Sequence, residues 1–248
     1  MFSSIWHGFI YDPLYNTLVA IIDIMPGHSA GLAIILLTIL VKVILFPLTA
    51  KSSRAQRAMK ELEPELRQLR EKFKEDKARL AKETMTLYQT RGVTPFSGCL
   101  PLLIQMPIII GLYFVFSQGL KTVDTALLYS FVTAPESFDL HFLIFDLAGK
   151  SLILAMMAGF FQYIQTSLSL GKQAPLPPKK EGQAPSFQDD FARSMQVQMR
   201  YVLPVMVSFI AYTTPAAVAL YWTTSNILGI LQELFLQKNN KKQNTPLS

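Results

Sequence analysis

The chain has one cysteine, Cys99, in 248 residues, which excludes an intramolecular disulfide. Its neighbours Gly98 and Leu100 fit a small packed residue at a helix start better than a reactive thiol. No GxSxG elbow, HExxH helix, pair of intramembrane aspartates or phosphate-binding glycine loop occurs, so a hydrolase or an ATP-driven pump finds no support. No catalytic residue, metal or cofactor is expected. The basic start and small-residue cleavage site of a secretory signal are also missing. Residues 1–28 instead interleave aromatic and polar side chains, as a helix lying in a membrane interface does.

Charge is absent over long stretches. Gly92 to Leu120, Ser151 to Gly171 and Tyr201 to Gln232 contain none, and each reaches or exceeds the ~20 residues that span a bilayer. A fourth stretch, Ile24 to Ala50, carries one charged side chain, Lys42. Where charge does occur it is segregated. Of the 23 Lys and Arg residues, 12 lie in Lys51 to Arg91, 5 in Lys172 to Arg200 and 3 in the tail from Lys238. The positive-inside rule puts those three segments in the cytoplasm, and the N-terminus and the loop 119–150 outside, together with His7, His28 and His141.

These signals predict an all-α membrane protein with five transmembrane helices. An outer interfacial helix (1–28) precedes the first span (29–50), and a cytoplasmic helical hairpin (51–92) leads to the second (98–118). After the outer loop come the third span (151–170), a cytoplasmic loop (171–199), a fourth span (200–214), a fifth (216–236) and a cytoplasmic tail (237–248). Thr213-Thr214-Pro215 marks a turn between the last two. One long helix kinked at Pro215 would put the basic tail outside, against the charge rule.

Within the hairpin, Leu62, Leu66, Leu69 and Phe73 recur at helical spacing. Pro64 fits a first helical turn, and Asp76 fits the cap of a second helix bearing Leu80, Leu87 and Tyr88. A solvated hairpin without chemistry describes most of it. Its basic face, with Arg54, Arg57, Lys60, Arg67 and Arg70, would suit anionic lipid headgroups or ribosomal RNA.

An ionisable group inside a span costs ~3 kcal/mol on insertion scales and marks a functional site by default. Lys42 lies 12 residues beyond Ala30 and 8 before Ala50. Snorkelling along about 12 Å of helix is the plainer reading, and a hydrated cavity open to the cytoplasm the sharper one. Polar groups on the other spans could line such a cavity. Thr38 is one turn from Lys42, Gln105 is in the second span, Gln162 and Gln165 share a stripe with Thr166 and Ser169, and Trp222, Ser225 and Asn226 share another. Each alone could be interhelical glue. A small transporter or channel, or an assembly scaffold, remains an alternative reading, although no internal repeat is evident.

LVKVILFPLTAKSSRAQRAM around Lys42, GCLPLLIQMP at Gly98 to Pro107 and LYWTTSN at Leu220 to Asn226 resemble the YidC/Oxa1/Alb3 family of membrane protein insertases. The resemblance covers about residues 30 to 236. It implies a five-helix core around a hydrophilic groove open to the cytoplasm and to lipid, and assistance to nascent membrane protein clients in the inner membrane of a bacterium. It also implies a positive residue in the first core span and client contact at Thr38 and Trp222. Most bacterial members have arginine where this chain has Lys42, which keeps the charge and loses the planar donor fork. The tail, Gln237 to Ser248, is too short for the long basic arm with which some relatives grip ribosomes, so docking through the hairpin stays open. Signal recognition machinery and the Sec translocon are further partners the resemblance raises; DNA is not.

Overall fold

The structure, a computed structural model, describes residues 6–73, 76–93, 100–118, 123–135, 137–171, 194 and 197–243. Cys99, Lys121, most of the expected loop 171–199 and the last five residues lie outside them. The chain divides into two compact units, Leu45–Met106 and the remainder.

In the larger unit a π-type turn, His7–Tyr11, leads into α1 (Asp12–Ile24), where Pro13 occupies the first turn, its φ already helical. Helix α1 turns Tyr15, Leu18, Val19, Ile21 and Ile22 inward at helical spacing. The expected N-terminal helix is therefore present, and one face of it is built into the core. Pro26 and Gly27, the latter at φ 65°, turn the chain into α2 (Ala30–Glu61). This helix continues past residue 50, where the span is expected to end. Residues Lys51 to Glu61 are mostly good helix formers without glycine or proline, so nothing there ends it. Only Pro47, which cannot donate to the carbonyl of Val43, interrupts its ladder.

The smaller unit contains α3 (Glu63–Lys72) and α4 (Lys77–Thr90). Pro64, Glu63 and Glu65 open α3 and Arg70 and Lys72 close it, each charge at the end where the helix dipole favours it. The Asp76 carboxylate accepts the Arg79 amide at 2.9 Å and caps α4. Leu62, Leu66 and Leu80 are buried, and Arg91 pairs with Glu65 at 2.6 Å, which ties α3 to the C-terminal end of α4.

Helix α5 (Leu100–Gln118) begins in the smaller unit and ends in the larger, where Leu112, Val115 and Phe116 are buried. A loop with a short antiparallel hairpin follows, β1 (His141–Phe142) against β2 (Phe145–Asp146). Then come α6 (Leu152–Leu170), capped by Ser151, a π-type turn at Gln198–Val202, α7 (Leu203–Thr213) and α8 (Ala216–Gln243). Thr214 is extended, at φ −103° and ψ 168°, so the expected turn separates two helices.

Hydrogen bonds fix the directions of these three helices. The Ala216 and Ala217 amides donate to the carbonyls of Gly149 and Leu147, just before α6. Arg200 donates to the carbonyl of Gly171 at the far end of α6. Asn226 meets Ala158 partway along. Helix α8 therefore runs parallel to α6, and α7 runs back between the same two levels. One kinked helix is excluded, because α7 and α8 both pack along α6.

Every long helix exposes apolar side chains on the face turned from its neighbours. On α2 these are Leu32, Leu36, Ile39, Leu40, Val43 and Ile44. A bilayer is the solvent that suits such surfaces. By length and apolarity α2 and α6 qualify as spans among the described residues, while the apolar part of α5, Leu103–Ser117, is shorter.

Candidate functional site

Helical geometry sets Lys42 beside Thr38 and next to Val41, which packs on the core. Its side chain is half-buried and has no hydrogen-bond or ion-pair partner among the described residues. Nor is a carboxylate held against it. Thr38 is buried and donates its hydroxyl back to the Ile34 carbonyl at 2.6 Å, and it makes no hydrogen bond to another helix among the described residues.

The polar stripe of α6 divides by partner. Gln162 donates to the Thr166 hydroxyl at 3.1 Å within the helix. Gln165 lies over Gly229 of α8, so close that a Cβ there would stand 2.3 Å from its amide nitrogen. The stripe of α8 is buried: Trp222 is 8% exposed, Ser225 2% and Asn226 4%. The Asn226 amide donates to the Ala158 carbonyl at 3.1 Å, which is the interhelical glue that the plainer reading of these residues foresaw. Gln105 belongs to the smaller unit, where it is half-buried and engaged.

Sequence reasoning overlooked Glu233. This carboxylate is 5% exposed in the last helix and accepts from Gln237 at 3.2 Å. Its signal is present in the sequence, as an acidic residue just past an uncharged run and inside the expected fifth span (216–236). Gly159 was also overlooked; it lets α7 approach α6 until Ser208 and the Pro204 carbonyl touch it.

In the hairpin Arg54 and Arg67 are exposed, whereas Arg57, Lys60 and Arg70 are half-buried and already engaged. Phe73 at the bend lies beneath two cations, with Lys72 5.4 Å and Arg79 5.0 Å from its ring centre. Burial pushes the Tyr88 phenol up, and the nearby Arg70 charge partly offsets that.

A family model described as 60Kd inner membrane protein matches residues 21–244. A membrane protein insertase YidC of Oceanobacillus iheyensis is 31% identical over 241 residues, which are 95% of this chain and 85% of that protein. A protein of the same name from Fusobacterium nucleatum is 30% identical over 93% of this chain and 98% of its own length. The membrane protein insertase MisCA of Bacillus subtilis is 32% identical over 96% and 82%.

Proposed function

The chain belongs to the 60Kd inner membrane protein family, and from that premise we propose that it is a membrane protein insertase working through Lys42. One observation carries the reading: a lysine near the middle of the first span is half-buried and has no counter-charge among the described residues. A purely structural lysine would be expected to hold a carboxylate or reach the surface. In the proposed arrangement five helices cross the inner membrane, with residues 123–150 outside and the basic segments inside. Lys42, Gln162 and Gln165 border a wet groove open to the cytoplasm, and the buried Thr38, Trp222, Ser225 and Asn226 brace its wall.

The task is to lower a barrier. A client's apolar helix gains ~25 cal/mol for each Å² it removes from water, so the end state needs no ATP. The obstacle is the polar flank that must pass through hydrocarbon first. Water beside Lys42 shortens that path, and the ammonium attracts an acidic flank. At ~6 Å and an effective dielectric of ~20, two opposite unit charges gain about 3 kcal/mol, up to about a hundredfold in rate. Clients are nascent membrane proteins. Arg54 and Arg67 offer the cytoplasmic contact at which a ribosome, signal recognition machinery or the Sec translocon would deliver them.

Reconstituted proteoliposomes test this with a client whose outer flank is acidic. Lys42→Arg should insert it at close to the wild-type rate and Lys42→Ala should lag by tenfold or more. Equal rates for the two variants would remove the charge from the mechanism, and insertion no faster than in empty vesicles would remove the function.

A further inference from the structure

The β1–β2 hairpin breaks the rules of a water-exposed turn. Its two turn residues are Leu143 and Ile144, 83% and 82% exposed, where asparagine and glycine would be usual. Leu143 also holds φ at +56°, a left-handed conformation that leucine rarely adopts. A local rule broken without a local gain points to a function for the exposed pair.

The base of the hairpin is fixed. The Leu147 amide donates to the Leu140 carbonyl, and Leu147 is fully buried. The Asp139 amide donates to His28, and its carbonyl accepts from Ala30, the first residue of α2. Phe142 lies over Gly31, where an added Cβ would stand 2.3 Å from the ring. The hairpin is thus held at the start of α2, and its tip lies one and two residues, at most about 7 Å of strand, beyond Phe142. The exposed apolar surface of α2 begins at the next position, Leu32. At the same level α6 opens with exposed Leu152 and Ile153.

We propose that Leu143 and Ile144 dip into the outer leaflet, so that the tip is a lipid anchor continuous with the apolar surface of α2. The occupant is phospholipid, because the patch adjoins helix surfaces that already face it and because His141 and Asp146, both exposed, leave a polar collar at the depth of the headgroups. The proposal rests on the outer placement of residues 123–150.

Single-cysteine variants Leu143→Cys and Ile144→Cys, in a Cys99→Ser background, carry an environment-sensitive fluorophore into phosphatidylcholine–phosphatidylglycerol vesicles. A third variant, Thr125→Cys, labels an exposed residue of the same loop as the aqueous reference. Both tip labels should emit to the blue of the reference and be quenched several-fold more by lipid nitroxides near the headgroup than by aqueous iodide. The same values should hold at high and low protein-to-lipid ratio. Water-like emission with full iodide quenching at both positions would overturn the proposal. A blue shift that fades on dilution into lipid would overturn it too, assigning the patch to a second copy of the chain. Accessibility of the Thr125 label to a membrane-impermeant reagent reports sidedness separately, so an error in topology is distinguishable from an error about the anchor.

Discussion

Two glycines on the face between α6 and its neighbours give opposite expectations for the same substitution. At Gly159 a Cβ would stand 1.8 Å from the Ser208 hydroxyl and 2.8 Å from the Pro204 carbonyl. The serine can rotate away, but the carbonyl is backbone, and ordinary contact begins at 3.4 Å, so α7 must retreat by about 0.6 Å along the seam. Overpacking of this kind costs about 1–3 kcal/mol, and a clash with backbone belongs at the upper end. Alanine regains ~1 kcal/mol of helix propensity, which leaves a net loss of about 2 kcal/mol. At Gly229 the nearest atoms, at 2.3 and 2.7 Å, belong to the flexible end of Gln165, which can swing aside. There the propensity gain and the lost contact roughly cancel. Thermal unfolding in detergent should therefore show Gly159→Ala lowered by roughly 4–8 °C and Gly229→Ala close to wild type. Ser208→Gly added to Gly159→Ala should restore only part of the loss, because the carbonyl remains. Equal melting of the two alanine variants would refute the assignment of the tight seam to the α7 backbone.

Asn226→Leu removes the bond to Ala158 and should lower stability by ~0.6 kcal/mol, and by no more than ~1.7, with insertion less affected than by Lys42→Ala; detergent unfolding and the vesicle assay together read the split. Asp76→Ala removes the α4 cap at a cost of about 1 kcal/mol, visible as faster amide exchange from Lys77 to Leu80 with the larger unit unchanged. Tyr88 gives a pH dependence. Its folded-state pKa lies above the unfolded value of ~10, so the folded hairpin favours the neutral phenol. Stability is then intact below pH ~10 and falls as pH climbs through that value, a decline that Tyr88→Phe should abolish in alkaline unfolding curves.

What could be read from the residues followed from local rules. Pro64, Asp76 and the Thr214-Pro215 break act within one turn of themselves, and all three do in the structure what their side chains dictate. The charge at Lys51 bounds the expected first span but not the helix that carries it. Charge decides what surrounds a helix, whereas propensity decides whether it continues, and α2 runs on to Glu61. The polar stripes were legible as stripes but not as to their partners. Asn226 and Gln165 both sit at helical spacing on uncharged segments; one is buried against a neighbouring carbonyl and the other covers a glycine. Periodicity along one helix contains no information about which face its neighbour meets. The burial of one face of α1 eluded the sequence for the same reason, since an interfacial helix and a core-facing helix have the same period.

The ties at the two ends of the larger unit bear on the direction of the proposed groove. At the end with residues 123–150, the Asp124 amide donates to the Tyr15 hydroxyl, Asn16 bonds both Leu127 and Tyr129, and Thr133 bonds Asp23. The same loop holds Ala30, Ala216 and Ala217 through backbone bonds, over fully buried Leu147 and Ala216 to Ala219. A polar client flank entering there would have to break those bonds and leave buried amides unpaired, at about 1–3 kcal/mol each. The opposite end is where Lys238 and Arg200 lie, and Arg200 joins Gly171 through one side chain. In the proposed mechanism, cations at that end would attract an acidic flank before it reached Lys42. In the proposed mechanism, then, entry from the basic side would be drawn by charge, while entry at the other end would meet the hydrogen bonds that residues 123–150 make.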